Sequence, residues 1–232
     1  DATVTRVADE EFWVISSGMA ERYHSRFFQM VPLPEGTSFD SLTDSHCGFN
    51  VAGPRSRELL QRLTNDSLSN EDFPFMRSKL IELAGISCLA LRVSFTGDLG
   101  WELHCASEDQ QALYRALLEA GEVVGAGPVG GRALMSLRVE KGYGSWSREY
   151  SPEYYPHEVG FERLCKTDKP FLNRDAAIEA MKTDPRENMI MLHLSEEDVS
   201  ASNADATGGE PIFFEGQGVG RVTSGAYGYS VG

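Results

Sequence analysis

The stretch 94–103 contains the residue types best suited to binding a small ligand, and its sequence is Ser-Phe-Thr-Gly-Asp-Leu-Gly-Trp-Glu-Leu. Gly97 and Gly100, three residues apart, predict a tight loop with exposed backbone between two strands. Glu102 follows Trp101, and a carboxylate beside aromatic groups suits a nitrogen heterocycle with neighbouring N–H donors. A surface hairpin with an incidental acid explains the same residues, so the residues alone leave both alternatives open.

Arg132 opens a second candidate stretch, 132–143, in which Leu134, Leu137 and Val139 can face a core from one helix. An arginine at the start of such a helix can bind a carboxylate through two parallel hydrogen bonds. A structural salt bridge is the alternative, and spacing alone favours it.

The glycines at 125, 127 and 130 satisfy the GxGxxG pattern of dinucleotide-binding folds. That pattern needs a buried strand before it, a helix after it and an acid about twenty residues further on, at the end of a second strand. Here the apolar residues of 112–120 recur at helical spacing, and the residues near 150 do not resemble a strand end. We therefore interpret 123–130 as a connection between two helices.

No metal site is predicted. The two His-Cys neighbours, at 46–47 and 104–105, would point to opposite faces of a strand, so neither pair can chelate one ion. The spacings HxH, HExxH and paired CxxC do not occur.

The bulk composition limits the partners. The 232 residues carry a formal charge of −14, which argues against nucleic acid and anionic membranes. The four scattered cysteines favour free thiols in a reducing compartment, and the chain has neither an eighteen-residue apolar run nor a signal-peptide pattern. We expect the bacterial cytoplasm or, in a eukaryote, the mitochondrial matrix.

Irregularly ordered helices and strands must position these residues, which favours an α+β fold. Strands are expected at 3–7, 12–15, 46–52, 78–84, 86–95 and 101–105, with further short strands from 188 to the end. Helices are expected at 18–30, 54–64, 107 onwards, 130–141 and 173–182, with caps at Ser107 and Asn173. The change of character at 184–187 predicts a boundary between domains 1–184 and 185–232.

Taken together, these stretches resemble the aminomethyltransferase family, which includes the T-protein of the glycine cleavage system and the C-terminal halves of dimethylglycine and sarcosine dehydrogenases. The resemblance lies in five collinear stretches that span nearly the whole chain: 49–57, 95–102, 132–143, 156–160 and 222–227. The Gly-Trp-Glu sequence at 100–102 and the Ser-Gly-Ala-Tyr sequence at 224–227 are more similar to the dehydrogenase branch.

The resemblance implies a folate-binding domain interleaved with a ferredoxin-like subdomain at about 40–125, followed by a C-terminal β-barrel. On this basis we expect that roughly the first hundred residues of the module are missing and that the barrel is truncated.

The resemblance also implies roles for individual residues. Glu102 falls on the carboxylate that holds the pterin, Arg132 on a folate-binding arginine, Asp1 on the catalytic aspartate and Thr3 on its companion threonine. Phe95 stands where the dehydrogenase branch often has tyrosine, which removes one hydroxyl contact, and it is placed with Trp101 among the folate-binding residues. Ser17 stands near a position where T-protein has asparagine.

The implied activity is tetrahydrofolate-dependent transfer of a one-carbon unit to form 5,10-methylenetetrahydrofolate, in a dimethylglycine- or sarcosine-dehydrogenase-like enzyme. FAD would then belong to an upstream flavin domain. One alternative is a stand-alone T-protein that acts on a lipoyl carrier protein. Another is a non-catalytic regulatory relative of the fold.

Overall fold

A computed structural model describes residues 2–194 and 206–230. The chain divides into two compact units, Asp1–Leu134 and Met135–Gly232. The mixture of helices and antiparallel sheet confirms the α+β expectation. The boundary at 184 predicted from the sequence falls within the second unit and stays a prediction.

The first unit begins with a hairpin of β1 (Thr3–Ala8) and β2 (Glu11–Ile15), as predicted, and α1 (Glu21–Met30) follows a short 3-10 turn. A four-stranded antiparallel sheet comes next, with its strands in the order β3-β6-β5-β4. Its strands are β3 (His46–Ala52), β4 (Ser78–Leu83), β5 (Ile86–Leu91) and β6 (Gly100–Ala106). Helices α2 (Ser56–Gln61) and α3 (Gln110–Glu122) complete the unit.

The β4–β5 hairpin turns at Ala84 and Gly85, as the sequence predicts. Both residues have positive φ, 51° and 83°, which is the two-residue turn whose twist matches that of paired strands. The second strand of the hairpin is shorter than the predicted 86–95, because the chain leaves the ladder after Leu91 to enter the loop before β6.

One face of the sheet packs on α2 and α3 to form the core of the first unit. The alternating residues Trp101, Leu103 and Cys105 of β6 point into it and are at most 2% exposed. From the helices come Leu59 and Leu60 of α2 together with Leu113, Leu117 and Ala120 of α3. Full burial of each leucine contributes about 1.5–3 kcal/mol to folding.

α4 (Gly131–Glu140) spans the division between the units, and residues 123–130 connect it to α3. The glycine pattern at 125–130 therefore lies between two helices, as interpreted from the sequence. The second unit also contains two 3-10 turns, α5 (Arg174–Met181) and a hairpin of β7 (Pro211–Phe214) and β8 (Gln217–Arg221). The prediction of strands from 188 is wrong for 188–194, which are irregular.

Of the two predicted helix caps, Ser107 is wrong, while Asn173 does lie at the N-cap position of α5 but without the capping hydrogen bond. Ser107 opens a 3-10 turn before α3, and its hydroxyl donates to the Asp44 carbonyl at 3.3 Å. Asn173 precedes α5 with a left-handed φ of 61° and makes no side-chain cap bond.

Candidate ligand-binding site

The loop before Glu102 is fixed to the end of β3. The Leu99 carbonyl accepts from the Gly53 backbone N–H at 2.8 Å and from the Ser56 hydroxyl at 2.9 Å. Inside the loop, the buried Thr96 hydroxyl lies 3.0 Å from Ser94 Oγ and donates to Asp98 at 3.1 Å. These bonds hold the loop in a defined conformation, in line with the tight loop predicted from Gly97 and Gly100.

Glu102 and Trp101 lie on opposite faces of β6. Glu102 points to the face of the sheet away from the helices, and its side chain is 22% exposed. The Trp101 ring is 0% exposed, with Phe73 edge-on at 6.3 Å and the guanidinium groups of Arg57 and Arg92 each 5.8 Å from its centroid. The structure therefore assigns Trp101 to the core, because neighbouring residues of a strand alternate faces.

The imidazole of His104 lies beside Glu102 on what we call the open face, the side of the sheet away from α2 and α3. His104 Nε2 lies 3.8 Å from Glu102 Oε2. Trp13, from β2, packs edge-to-face against His104 and His46 with centroid distances of 6.2 and 5.2 Å. This combination of a half-buried carboxylate, the His104 imidazole and the Trp13 indole can accept hydrogen bonds from a planar heterocycle and pack on its rings.

The sequence reasoning missed Trp13 and His104 as members of this group. The signal for His104 was available, since it is two residues from Glu102 and must share its face. Nothing local to β2 indicates that Trp13 reaches the same face, because that contact depends on how the β1–β2 hairpin packs.

The other predicted residues are placed separately. Thr3, half-buried on β1, lines a cavity of about 300 Å³ together with Leu91, which is the residue paired with Glu102 across β5 and β6. Phe95 is half-buried in the loop, and Arg132 is exposed in the first turn of α4. Among the described residues, no hydrogen bond or ion pair joins Arg132 to Glu102. Asp1 lies outside the described residues.

A buried ion pair forms in the second unit, although at Arg138 rather than Arg132. Arg138 is 2% exposed and donates to Glu149 at 3.1 Å and to the Tyr143 carbonyl at 2.9 Å. Burial raises the pKa of Glu149, but hydrogen bonds from Ser224, the Ser145 backbone and Thr223, with the charge of Arg138, outweigh it and lower the pKa overall. This pair stabilises the segment that follows α4.

A second cleft, of about 580 Å³, runs along α2 and is rich in arginine. Arg55 and Arg62 both pair with Glu58, and Arg57 donates to the Leu68 carbonyl and to Asn70. Arg55 and Arg57 use most of their guanidinium donors within the fold, so the open face is the better candidate site.

The cysteines contribute no metal site. Cys47 and Cys105 face each other across β3 and β6 with their sulfur atoms 3.4 Å apart, and all four thiols are free. Burial raises the pKa of Cys88 to about 11 and that of Cys105 to about 12, so neither is a thiolate at neutral pH.

Within 2–194 and 206–230, no three histidine, cysteine or acidic side chains are placed to hold one ion. Nor does any helix in those ranges have the length and apolar character needed to cross a bilayer.

Comparison with known proteins decides the family. The model of the GCVT N-terminal domain matches residues 1–169, nearly three quarters of the chain. The chain belongs to the GCVT, or aminomethyltransferase, family. This confirms the resemblance found in the sequence, and the chain is an enzyme domain of this family.

Individual relatives in the GCVT family show what share of a longer protein the chain covers. Mitochondrial dimethylglycine dehydrogenase of Mus musculus is 33% identical over 235 residues, covering 100% of this chain but 26% of the relative. Mitochondrial sarcosine dehydrogenase of Mus musculus is 39% identical over 185 residues, covering 79% of the chain and 20% of the relative. An aminomethyltransferase of a Thermoanaerobacter strain is 27% identical over 229 residues, covering 98% of the chain and 60% of the relative. The chain thus spans about a quarter of the length of the dehydrogenases.

Proposed function

We propose that this chain is the tetrahydrofolate-dependent one-carbon transfer module of a dimethylglycine- or sarcosine-dehydrogenase-like enzyme, forming 5,10-methylenetetrahydrofolate. The observation that carries the proposal is the Glu102 carboxylate on the open face, in a chain of the GCVT family whose full length aligns with dimethylglycine dehydrogenase. FAD would belong to a flavin domain upstream in the same polypeptide.

The side chains at the site fit a reduced pterin. A carboxylate that is 22% exposed sits in surroundings where its hydrogen bonds are stronger than in water. Glu102 would accept from adjacent N–H groups of the ring, while Trp13 packs against the His104 imidazole beside it. When bound, tetrahydrofolate supplies the nitrogen nucleophiles that receive the one-carbon unit.

The remaining residues take roles that the family resemblance gives them. Asp1 would hold or relay a proton and stabilise positive charge on the incoming carbon unit. Thr3 would support Asp1 from β1, Arg132 would bind an anionic part of the folate, and Phe95 would contribute an apolar contact. Trp101 supports the site indirectly, by filling the core behind β6.

The finer architecture belongs to the same proposal. We propose that residues of about 40–125 form the ferredoxin-like subdomain and that β7 and β8 belong to a C-terminal barrel. The mitochondrial relatives favour the mitochondrial matrix if the source is eukaryotic.

The test is calorimetric titration of the full chain with tetrahydrofolate under anaerobic conditions. We expect saturable binding that Glu102→Ala abolishes, with the fold of the variant checked by its thermal melting. Absence of binding by the wild-type chain would contradict the proposal.

A stand-alone T-protein is the second candidate, and the aminomethyltransferase that aligns with 98% of the chain favours it. This function requires a lipoylated carrier protein as partner. It predicts ammonia release when the chain is mixed with an aminomethyl-lipoylated carrier and tetrahydrofolate, and no release would dismiss it. A non-catalytic relative, suggested by Phe95 and Ser17, predicts folate binding without turnover, or no folate binding at all.

A further inference from the structure

His104 lies beside Glu102 in a position that several elements of the fold enclose. Its side chain is 16% exposed, with Trp13 packed against one part of the ring and the carboxylate of Glu102 near another. Leu89 of β5 pairs with His104 on the far side from β3, so the imidazole is enclosed by two neighbouring strands and by the hairpin above them.

Gly48 makes this position possible. It is the residue directly opposite His104 across β3 and β6. A Cβ atom at Gly48 would lie 3.1 Å from Nδ1 and 3.2 Å from Cε1 of the imidazole, tighter than ordinary van der Waals contact. Because Gly48 has no side chain, the His104 ring can lie across β3.

The other ring nitrogen faces the carboxylate. Nε2 of His104 is buried and has no hydrogen-bond partner among the described residues, while Glu102 Oε2 lies 3.8 Å away. A buried ring nitrogen without a partner is costly, and an imidazole with its proton on Nε2 favours any small rotation of Glu102 that closes the gap to hydrogen-bonding distance. Such a bond would engage Oε2 and leave the other oxygen for a ligand.

We propose that His104 is a positioning residue for Glu102, holding one carboxylate oxygen so that the other faces the N–H donors of the bound heterocycle. The inference rests on the proposed function, since it assumes that Glu102 binds the ligand. It adds to the site a residue that acts through the carboxylate rather than on the ligand itself.

The test compares dissociation constants for tetrahydrofolate in the wild-type chain and three variants. His104→Leu should weaken binding about tenfold, because the donor to a charged group is lost. His104→Gln keeps an N–H donor at similar reach and should bind within about threefold of wild type. His46→Leu is the matched control, since it removes an imidazole that also packs on Trp13 but lies opposite Ala106, and it should bind like wild type.

A double-mutant cycle separates positioning from general disturbance. In a Glu102→Gln background, His104→Leu should cause no additional loss of affinity. The proposal is overturned if His104→Leu binds as tightly as wild type, or if His104→Gln is as weak as His104→Leu. Those results, with wild-type binding intact, would leave the proposed function standing, whereas a wild-type chain that fails to bind tetrahydrofolate would overturn both.

Discussion

At the scale of single residues, the pair Trp101 and Glu102 shows what the sequence of a strand can and cannot decide. Alternation predicts that the two side chains point to opposite faces. It does not say which face the helices cover, and that choice put Trp101 in the core and Glu102 on the open face. On the proposed function, the apolar ring serves folding and its acidic neighbour serves binding, although the sequence reasoning grouped them in one site.

Trp101→Phe tests this division. The smaller ring leaves a cavity beside Phe73, so we expect the free energy of unfolding to fall by about 1–3 kcal/mol in urea titrations. The affinity for tetrahydrofolate should change by less than about twofold, because the ring is not at the ligand. A Trp101→Phe protein with wild-type stability and much weaker binding of tetrahydrofolate would contradict this division and indicate that Trp101 contacts the ligand.

Glu158 is the clearest charged residue whose role the sequence did not indicate. It lies in the 156–160 stretch shared with the family, is 1% exposed, and accepts three hydrogen bonds from Arg186, of which the two from the guanidinium measure 2.8 and 2.7 Å. Hydrogen bonds from Arg186, then from the Tyr155 backbone, outweigh burial and lower the pKa of Glu158 from 4.5 to about 2. Only the fold brings residues this far apart in sequence together.

The stability contributed by Glu158 should therefore depend on pH. Because its pKa is lower in the folded state, the contribution is complete above about pH 4.5 and is lost as the pH falls to about 2. Glu158→Gln should lower the urea midpoint at pH 7, and the difference from wild type should shrink between pH 4.5 and 2. Glu153→Gln, at an exposed acid that pairs with Arg221, is the control and should cost less than about 1 kcal/mol. A Glu158→Gln deficit that stays constant down to pH 2 would contradict this account.

At the scale of elements, the sequence predicted the strands of the first unit and their turns better than its helix ends. The β4–β5 turn has a local chemical cause in Ala84-Gly85, so it could be predicted. The end of β5 at Leu91 and the short α2 depend on contacts with other elements, which no local pattern encodes. The sheet order β3-β6-β5-β4, which places Asn50 and Leu91 on either side of Glu102, is likewise a tertiary property.

Gly100 shows how tightly the loop and β3 approach each other. A Cβ atom there would lie 3.0 Å from the Val51 carbonyl oxygen and 3.1 Å from the Cβ atoms of Ala52 and Ser94. Gly100→Ala should therefore destabilise the chain by about 1–3 kcal/mol in urea unfolding and weaken tetrahydrofolate binding as β6 shifts. Gly18→Ala, where nothing lies within 4 Å, is the matched control and should change neither property. Equal behaviour of the two variants would mean that the approach at Gly100 is not tight.

At the scale of the whole molecule, function was inferred from the order of five stretches rather than from any one of them. The loop at 95–102 was compatible with a surface hairpin when considered alone. Its position between the 49–57 stretch and the helix that begins near Arg132 gave the family, which the match over residues 1–169 confirms. The charge of −14 argues against polyanionic partners, but it does not identify the ligand.

The central claim is that Glu102 binds a reduced folate, and one calorimetric comparison tests it most directly. Glu102→Gln removes the charge while keeping the shape of the side chain, and Glu119→Gln makes the same change at an exposed glutamate of α3, on the other side of the sheet. We expect Glu119→Gln to bind tetrahydrofolate like wild type and Glu102→Gln to lose at least about tenfold in affinity. Equal affinity of the two variants for tetrahydrofolate would contradict the account.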